Sequence, residues 1–155
     1  MSPRDTWAGM VRNARRGDAR VIAGLLGELG YPASDEAVLG RLAALGPDDL
    51  VLVSDDGAGL IVLHRIPRLA EGGAFVRITA LVVHAENRGR GVARALLAAA
   101  EEAARHWGCD LIEVSSERRA ERAPAHRLYR AAGFTDTAQR SVRYWKRVPA
   151  GTAED

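Results

Sequence analysis

The sequence predicts an α/β domain: a mixed, mostly antiparallel twisted sheet of about seven strands, flanked by about four helices. Three observations carry this prediction. Apolar residues recur at spacings of three and four in four segments, each bounded by a capping residue, glycine or proline. Short β-branched runs lie between those segments. The stretch from Phe75 to Ser115 reads as strand, helix, strand, which requires a parallel pair joined by a right-handed crossover.

Taken in order, Met10 to Ala14 reads as a first strand. Gly17-Asp18 offers a turn and a cap for a helix that places Val21, Ile22, Leu25, Leu26 and Leu29 at helical spacing; Gly30-Tyr31-Pro32 ends it. Ser34 caps a second helix with Val38, Leu42 and Leu45 on one face, closed by Gly46-Pro47. Leu50 to Val53 and Leu60 to Ile66 form a hairpin about Asp55-Asp56-Gly57. After the turn at Gly72-Gly73 comes a longer β-branched strand, Phe75 to Val83, then a glycine-rich turn and a helix to about Trp107. Leu111 to Ser115 is a further strand. Pro124 suits the first turn of a helix that Gly133 terminates. Phe134 to Lys146 is read as a final two-stranded hairpin around Arg140. Residues 1–148 thus form one expected domain, with 149–155 as a flexible tail.

Composition narrows the function classes. The 155 residues suit a single core, with 47% hydrophobic and 27% charged residues. Net charge is only +2, so the pI of about 9.1 reflects arginines nearly balanced by carboxylates. The one cysteine, Cys109, permits neither an intramolecular disulfide nor a cysteine metal cluster. Four scattered histidines show no ligand spacing, so no metal is expected. Arg118, Arg119, Arg122, Arg127 and Arg130 cluster without interleaved aromatics other than Tyr129, and without a helix-turn-helix pattern; no nucleic-acid partner is expected. Met1 to Met10 lacks the apolar core of a signal peptide, and no apolar run nears the roughly 20 residues of a membrane helix. The expectation is a cytoplasmic protein with no membrane partner.

The chemistry concentrates at Asn87-Arg88-Gly89-Arg90-Gly91-Val92-Ala93. A glycine-rich turn between a strand and a helix exposes the free N–H groups of the helix start, where the dipole is positive. Gly89 and Gly91 allow the backbone to approach an anion closely. Arg88, Arg90 and Arg94 add positive charge. No Gly-Lys-Ser/Thr follows, and Arg94 stands where a dinucleotide fingerprint has its third glycine.

These residues resemble the signature of the GNAT superfamily of N-acetyltransferases, Arg/Gln-x-x-Gly-x-Gly/Ala after a strand reading Leu-x-Val. Leu81-Val82-Val83 supplies the strand, and Arg88, Gly91 and Ala93 fill the signature positions. A second family pattern, Asn-x-x-Ala-x-x-x-Tyr-x-x-x-Gly-Phe, is matched by Ala125, Tyr129, Gly133 and Phe134, with Arg122 in place of the asparagine. The resemblance implies a GNAT-type fold and acetyl-CoA as co-substrate. It implies that amides from Arg88 through Gly89, Arg90, Gly91 and Val92 to Ala93 hold the pyrophosphate. It implies that Leu81, Val82 and Val83 pair with the pantetheine arm like an added strand, and that the amide of Val82 or Val83 polarises the thioester carbonyl.

Within that resemblance an amine attacks the thioester directly in a ternary complex. Tyr129 is the expected general acid for the departing thiolate, since a phenol of pKa about 10 keeps its proton at neutral pH. The base has two candidates, Glu113 on the strand after the glycine helix and His64 on the preceding hairpin. A water relay, or an amine that arrives deprotonated, would serve as well. Cys109, after Gly108 at a helix–strand junction, reads as a small core thiol rather than a nucleophile. The expected partner is a small-molecule primary amine, and relatives suggest a homodimer through the last strands. Asp35, Glu36, Asp48 and Asp49 could attract a cationic amine, but they read first as exposed helix-cap and loop carboxylates. The alternative is an acyl-CoA-binding sensor or interaction domain without turnover.

Overall fold

Helix boundaries fall where the residues supply caps. Ser34 accepts the Ala37 N–H at 3.1 Å and opens a nine-residue helix, Asp35–Ala43. Gly30 adopts a left-handed φ of 101° and closes the preceding helix, Ala19–Leu29. In the computed structural model, which describes residues 4–115, 123–141 and 143–150, these are α1 (Ala19–Leu29) and α2 (Asp35–Ala43). They are followed by α3 (Val92–His106) and α4 (Ala123–Ala131). The chain forms two units, Met1–Arg118 and Arg119–Asp155.

The first unit is a six-stranded sheet in sequence order: β1 (Thr6–Trp7), β2 (Val11–Asn13), β3 (Asp49–Ser54), β4 (Gly59–Pro67), β5 (Ala74–Val83) and β6 (Ile112–Val114). All neighbours are antiparallel except β5 and β6, the parallel pair expected from the crossover through α3. The mixed α/β architecture and the order from β2 to α4 agree with the sequence reading. β1 is an addition. Its Trp7 donates Nε1–H to Asn13 at 2.8 Å and meets His106 edge to face, and Glu102 of α3 accepts the Ala8 N–H.

The two faces of the sheet are filled by different helices. Ile22 and Leu25 of α1 and Val38 of α2 pack with Val53, Leu60 and Val82 on one face. On the other lies α3, whose Val92 and Leu96 crowd the position where Gly59 lacks a side chain. Alternation along β4 puts Leu60, Val62 and His64 on the α1/α2 face and Gly59, Ile61 and Leu63 on the α3 face. Both sets are mostly buried, and each fully buried Leu or Ile contributes about 1.5–3 kcal/mol.

In the second unit, Pro124 lies in the first turn of α4, and Gly133 at φ 91° ends it, as read from sequence. Tyr129 is buried and meets Phe134 edge to face at 5.8 Å. The final hairpin expected in Phe134 to Lys146 does not form among the described residues, and the described sheet has six strands, close to the seven or so expected. Asp136 accepts the Ala138 N–H at 2.9 Å, and the Thr137 carbonyl accepts from Arg140 and Ser141. These local bonds curl the chain where a strand would have to extend. Val142 and the arginines at 118, 119 and 122 lie outside the described residues.

Candidate functional site

The site is built on a change of pairing along β5. β4 accompanies β5 along its whole length, Gly59 opposite Val83 through Pro67 opposite Ala74. β6 pairs only with Val76 to Ile78. From Thr79 to Val83 no described strand flanks that second edge, so β5 and β6 form a fork that opens toward the C-terminal end of β5.

A bulge decides which groups face the fork. Val62 pairs with Ala80 but Leu63 pairs with Ile78, leaving Thr79 as the extra residue. Below it, Val76 gives its N–H to Leu111, so residues 76 and 78 face β6. Above it, His84 gives its N–H to Ala58 at 2.7 Å, continuing the β4 ladder. Residues of an antiparallel ladder face the partner and away from it in turn. Val82 therefore faces β4, while Leu81 and Val83 present N–H and C=O to the open edge. Of the two amides named from sequence, only that of Val83 is on the fork side. The Val82 side chain is buried against α1 and anchors the strand.

β5 leads through a short 3-10 turn, Ala85–Asn87, into the glycine turn. Gly89 and Gly91 take φ of 78° and 82°, the left-handed region where a side chain is strained. Gly91 is the N-cap of α3 and supplies no side-chain cap. The amides of Val92, Ala93 and Arg94 thus have no partner within the helix. Arg88, Arg90 and Arg94 are exposed, and none is in an ion pair among the described residues. Gly59 brings this helix end down onto the sheet: an added Cβ would come within 2.8 Å of Val92 Cγ1 and 2.9 Å of Leu96 Cδ1. The turn is also tied to α1, where Glu28 accepts the Ala85 N–H at 3.1 Å.

A fork of unpaired strand amides opening beside an uncapped, arginine-lined helix start can take an extended polar chain ending in a phosphate. The sequence matches the acetyltransferase (GNAT) family model over residues 25–134. The chain belongs to the GNAT acetyltransferase family. Similar solved structures include a ribosomal-protein-alanine N-acetyltransferase from Brucella melitensis, with 20% identity and a TM-score of 0.72, covering 89% of this chain and 99% of that one. An aminoglycoside antibiotic 6′-N-acetyltransferase from Acinetobacter haemolyticus has 18% identity and a TM-score of 0.71, covering 90% and 99%. AAC(6')-Iy, in complex with a CoA-containing bisubstrate analogue, has 20% identity and a TM-score of 0.74, covering 89% and 97%. No curated protein matches the sequence.

As a GNAT acetyltransferase the chain is an acyl-CoA-dependent enzyme, and its other candidate residues fall into distinct places. Glu113 lies on β6, accepts the Arg77 Nε–H on Oε1 at 3.0 Å and has Arg77 Nη2 2.9 Å from the same oxygen in an ion pair. His64 lies on β4 with Nδ1 2.6 Å from Asp49 Oδ1. Both face the α1/α2 side. Tyr129 belongs to the second unit, on α4. Cys109 follows α3 at the end away from the turn, about 22 Å along a 15-residue helix. It is buried, and burial raises its thiol pKa, so it is disfavoured as a thiolate nucleophile.

Sequence reasoning passed over several positions in this acetyltransferase. Gly59 sets the height of α3, and a glycine inside a strand pattern was the available signal. Asp49 is not a loop carboxylate: it starts β3, and the Gly46 amide and His64 together hold its pKa below the usual range. Arg77 and Glu28 take their hydrogen-bond partners from far away in sequence. Among the described residues no helix is long and apolar enough to cross a membrane.

Proposed function

We propose that this GNAT acetyltransferase transfers an acetyl group from acetyl-CoA to a primary amine of a small molecule, by direct attack in a ternary complex, with residues 1–148 acting as one catalytic domain. The observation that carries this reading is the open edge of β5 at Leu81 and Val83, running into the uncapped start of α3. In this reading Leu81 and Val83 hydrogen-bond the pantetheine arm, and the amides from Arg88 to Ala93 hold the pyrophosphate. The Val83 N–H stabilises the oxygen of the tetrahedral intermediate. Likeness to aminoglycoside acetyltransferases supports a small-molecule acceptor.

Two side chains complete the chemistry. Tyr129 protonates the leaving thiolate. The base is Glu113 or His64 acting through a relay of waters, since both lie on the row of Arg77, six residues along β5 from Val83. Acetyl-CoA or CoA should raise Tm, and a panel of amines with acetyl-CoA should release free thiol. No stabilisation by CoA would sink the reading. Stabilisation without thiol release from any amine would instead favour an acyl-CoA-binding domain without turnover. Tyr129→Phe should lose most of kcat with little change in acetyl-CoA affinity; an unchanged kcat removes Tyr129 from the mechanism.

A further inference from the structure

The amides that follow β5 divide into an engaged run and a free run. His84 gives its N–H to the Ala58 carbonyl at 2.7 Å, Ala85 to Glu28 Oε1 at 3.1 Å, and Glu86 to His84 Nδ1 at 3.3 Å. Asn87 bonds the His84 carbonyl at 2.9 Å, and Arg88 the Ala85 carbonyl, loosely, at 3.5 Å. From Gly89 to Arg94 no amide has a partner among the described residues, and the bonds resume with Ala95 on the Gly91 carbonyl at 3.0 Å. The free run is where an anion can be held.

One bond reaches this turn from another element. The ladder with β4 ends at Val83, and His84 adds one more bond to Ala58. Beyond it, the backbone bonds of residues 85–91 stay local, except that Ala85 is held by Glu28 of α1, 57 positions earlier. Glu28 lies in the last turn of α1, where the helix dipole disfavours a carboxylate. Its charge also opposes an anion on the neighbouring amides. Both electrostatic effects act against it, so its contribution is an acceptor oxygen at a fixed place. That oxygen is 3.6 Å from His84 Nδ1, but the ring nitrogen already accepts from Glu86, so Ala85 is the donor that Glu28 engages.

We propose that Glu28 is a positioning residue for the coenzyme: by holding the Ala85 amide it fixes where the turn leaves the sheet, so that the free amides from Gly89 onward are aimed at the pyrophosphate before it binds. The proposal rests on the acetyl-transfer reading above, in which those amides hold the pyrophosphate. Two glycines lie between Ala85 and α3, so without the tie this segment has more freedom to lose on binding. Val83 lies on the sheet side of the His84–Ala58 bond, so the amide at the reacting carbonyl keeps its place.

The test is titration calorimetry with CoA, beside steady-state kinetics in acetyl-CoA with an amine that the protein turns over. Glu28→Ala should bind CoA about fivefold more weakly, the size of one hydrogen bond. It should raise KM for acetyl-CoA by the same factor and leave kcat at saturation unchanged. Its Tm without ligand should change little, because the helix preference of alanine and the removal of a charge from the C-terminal end of α1 offset one exposed hydrogen bond. Glu28→Gln keeps an oxygen at the same reach and should restore wild-type affinity, whereas Glu28→Asp, one methylene shorter, should not. Unchanged or tighter CoA binding by Glu28→Ala, a Glu28→Gln variant as weak as Glu28→Ala, or a loss confined to kcat would overturn the proposal. A wild-type protein that CoA does not stabilise would overturn the acetyl-transfer reading itself, so the two failures are distinct.

Discussion

The two ends of β5 do different work with the same backbone. At the N-terminal end, Val76 to Ile78 are paired on both sides, and side chains carry the polar chemistry: Arg77 reaches Glu113 and stands beside His64. At the C-terminal end no strand among the described residues pairs with the second edge, the side chains at 81 to 83 are apolar, and the backbone carries the polar groups. The single extra residue, Thr79, separates the two regimes by exchanging which residues face which edge. The difference teaches that backbone chemistry depends on geometry that many sequences can build. The side-chain end depends on which residues occupy one row.

Proline scanning breaks this comparison most directly, because it deletes single N–H groups while its fixed φ of about −65° acts alike at neighbouring positions. Val83→Pro removes an amide that faces the fork, so the fold should survive while kcat falls about a hundredfold to a thousandfold. Val82→Pro removes an amide that β4 uses and should cost about 3 kcal/mol or more of stability. Urea unfolding beside a thiol-release assay reads both. A stable, active Val83→Pro enzyme would show that its amide plays no part. Next in size is Gly59→Ala, whose methyl must displace Val92 and Leu96 at the start of α3. Overpacking of this kind costs about 1–3 kcal/mol. The variant should unfold at lower urea and gain less Tm from CoA than wild type. Gly91→Ala should follow, since a side chain at φ 82° costs about 1–2 kcal/mol.

What the sequence made legible follows the same division. The helices declared themselves through local chemistry, as at Ser34 and Gly30, and the glycine turn marked the uncapped start of α3. The bulge at Thr79 carries no glycine or proline to mark it, so the facing of the Val82 and Val83 amides needed the register. The row from Asp49 to Glu113 joins residues up to 64 positions apart, and only strand pairing brings them together. β1 is two residues long and is held by Glu102 and Asn13, contacts outside its own pattern. Among the described residues the expected final hairpin gives way to bonds made by Asp136 and Thr137 within a few residues. A period-two reading of hydrophobicity does not weigh that competition.

The smallest expected effect concerns pH and separates the two ends without mutation. Asp49 has its pKa lowered, first by the Gly46 N–H and then by His64. A carboxylate bound this way stabilises the fold above its unfolded pKa, and that contribution disappears as pH falls through the folded value. The link from Gly46 through Asp49 to His64 should therefore hold at neutral pH and loosen only below the ordinary aspartate value of 3.8. The fork at Leu81 and Val83 is made of amides, which do not titrate in this range. Acid titration followed by amide NMR should perturb Gly46 and Asp49 while Leu81 and Val83 keep their shifts, and Asp49→Asn should remove the transition at Gly46. If the fork amides instead moved together with Gly46, the two ends of β5 would be one cooperative unit, and the division between backbone and side-chain chemistry would fail.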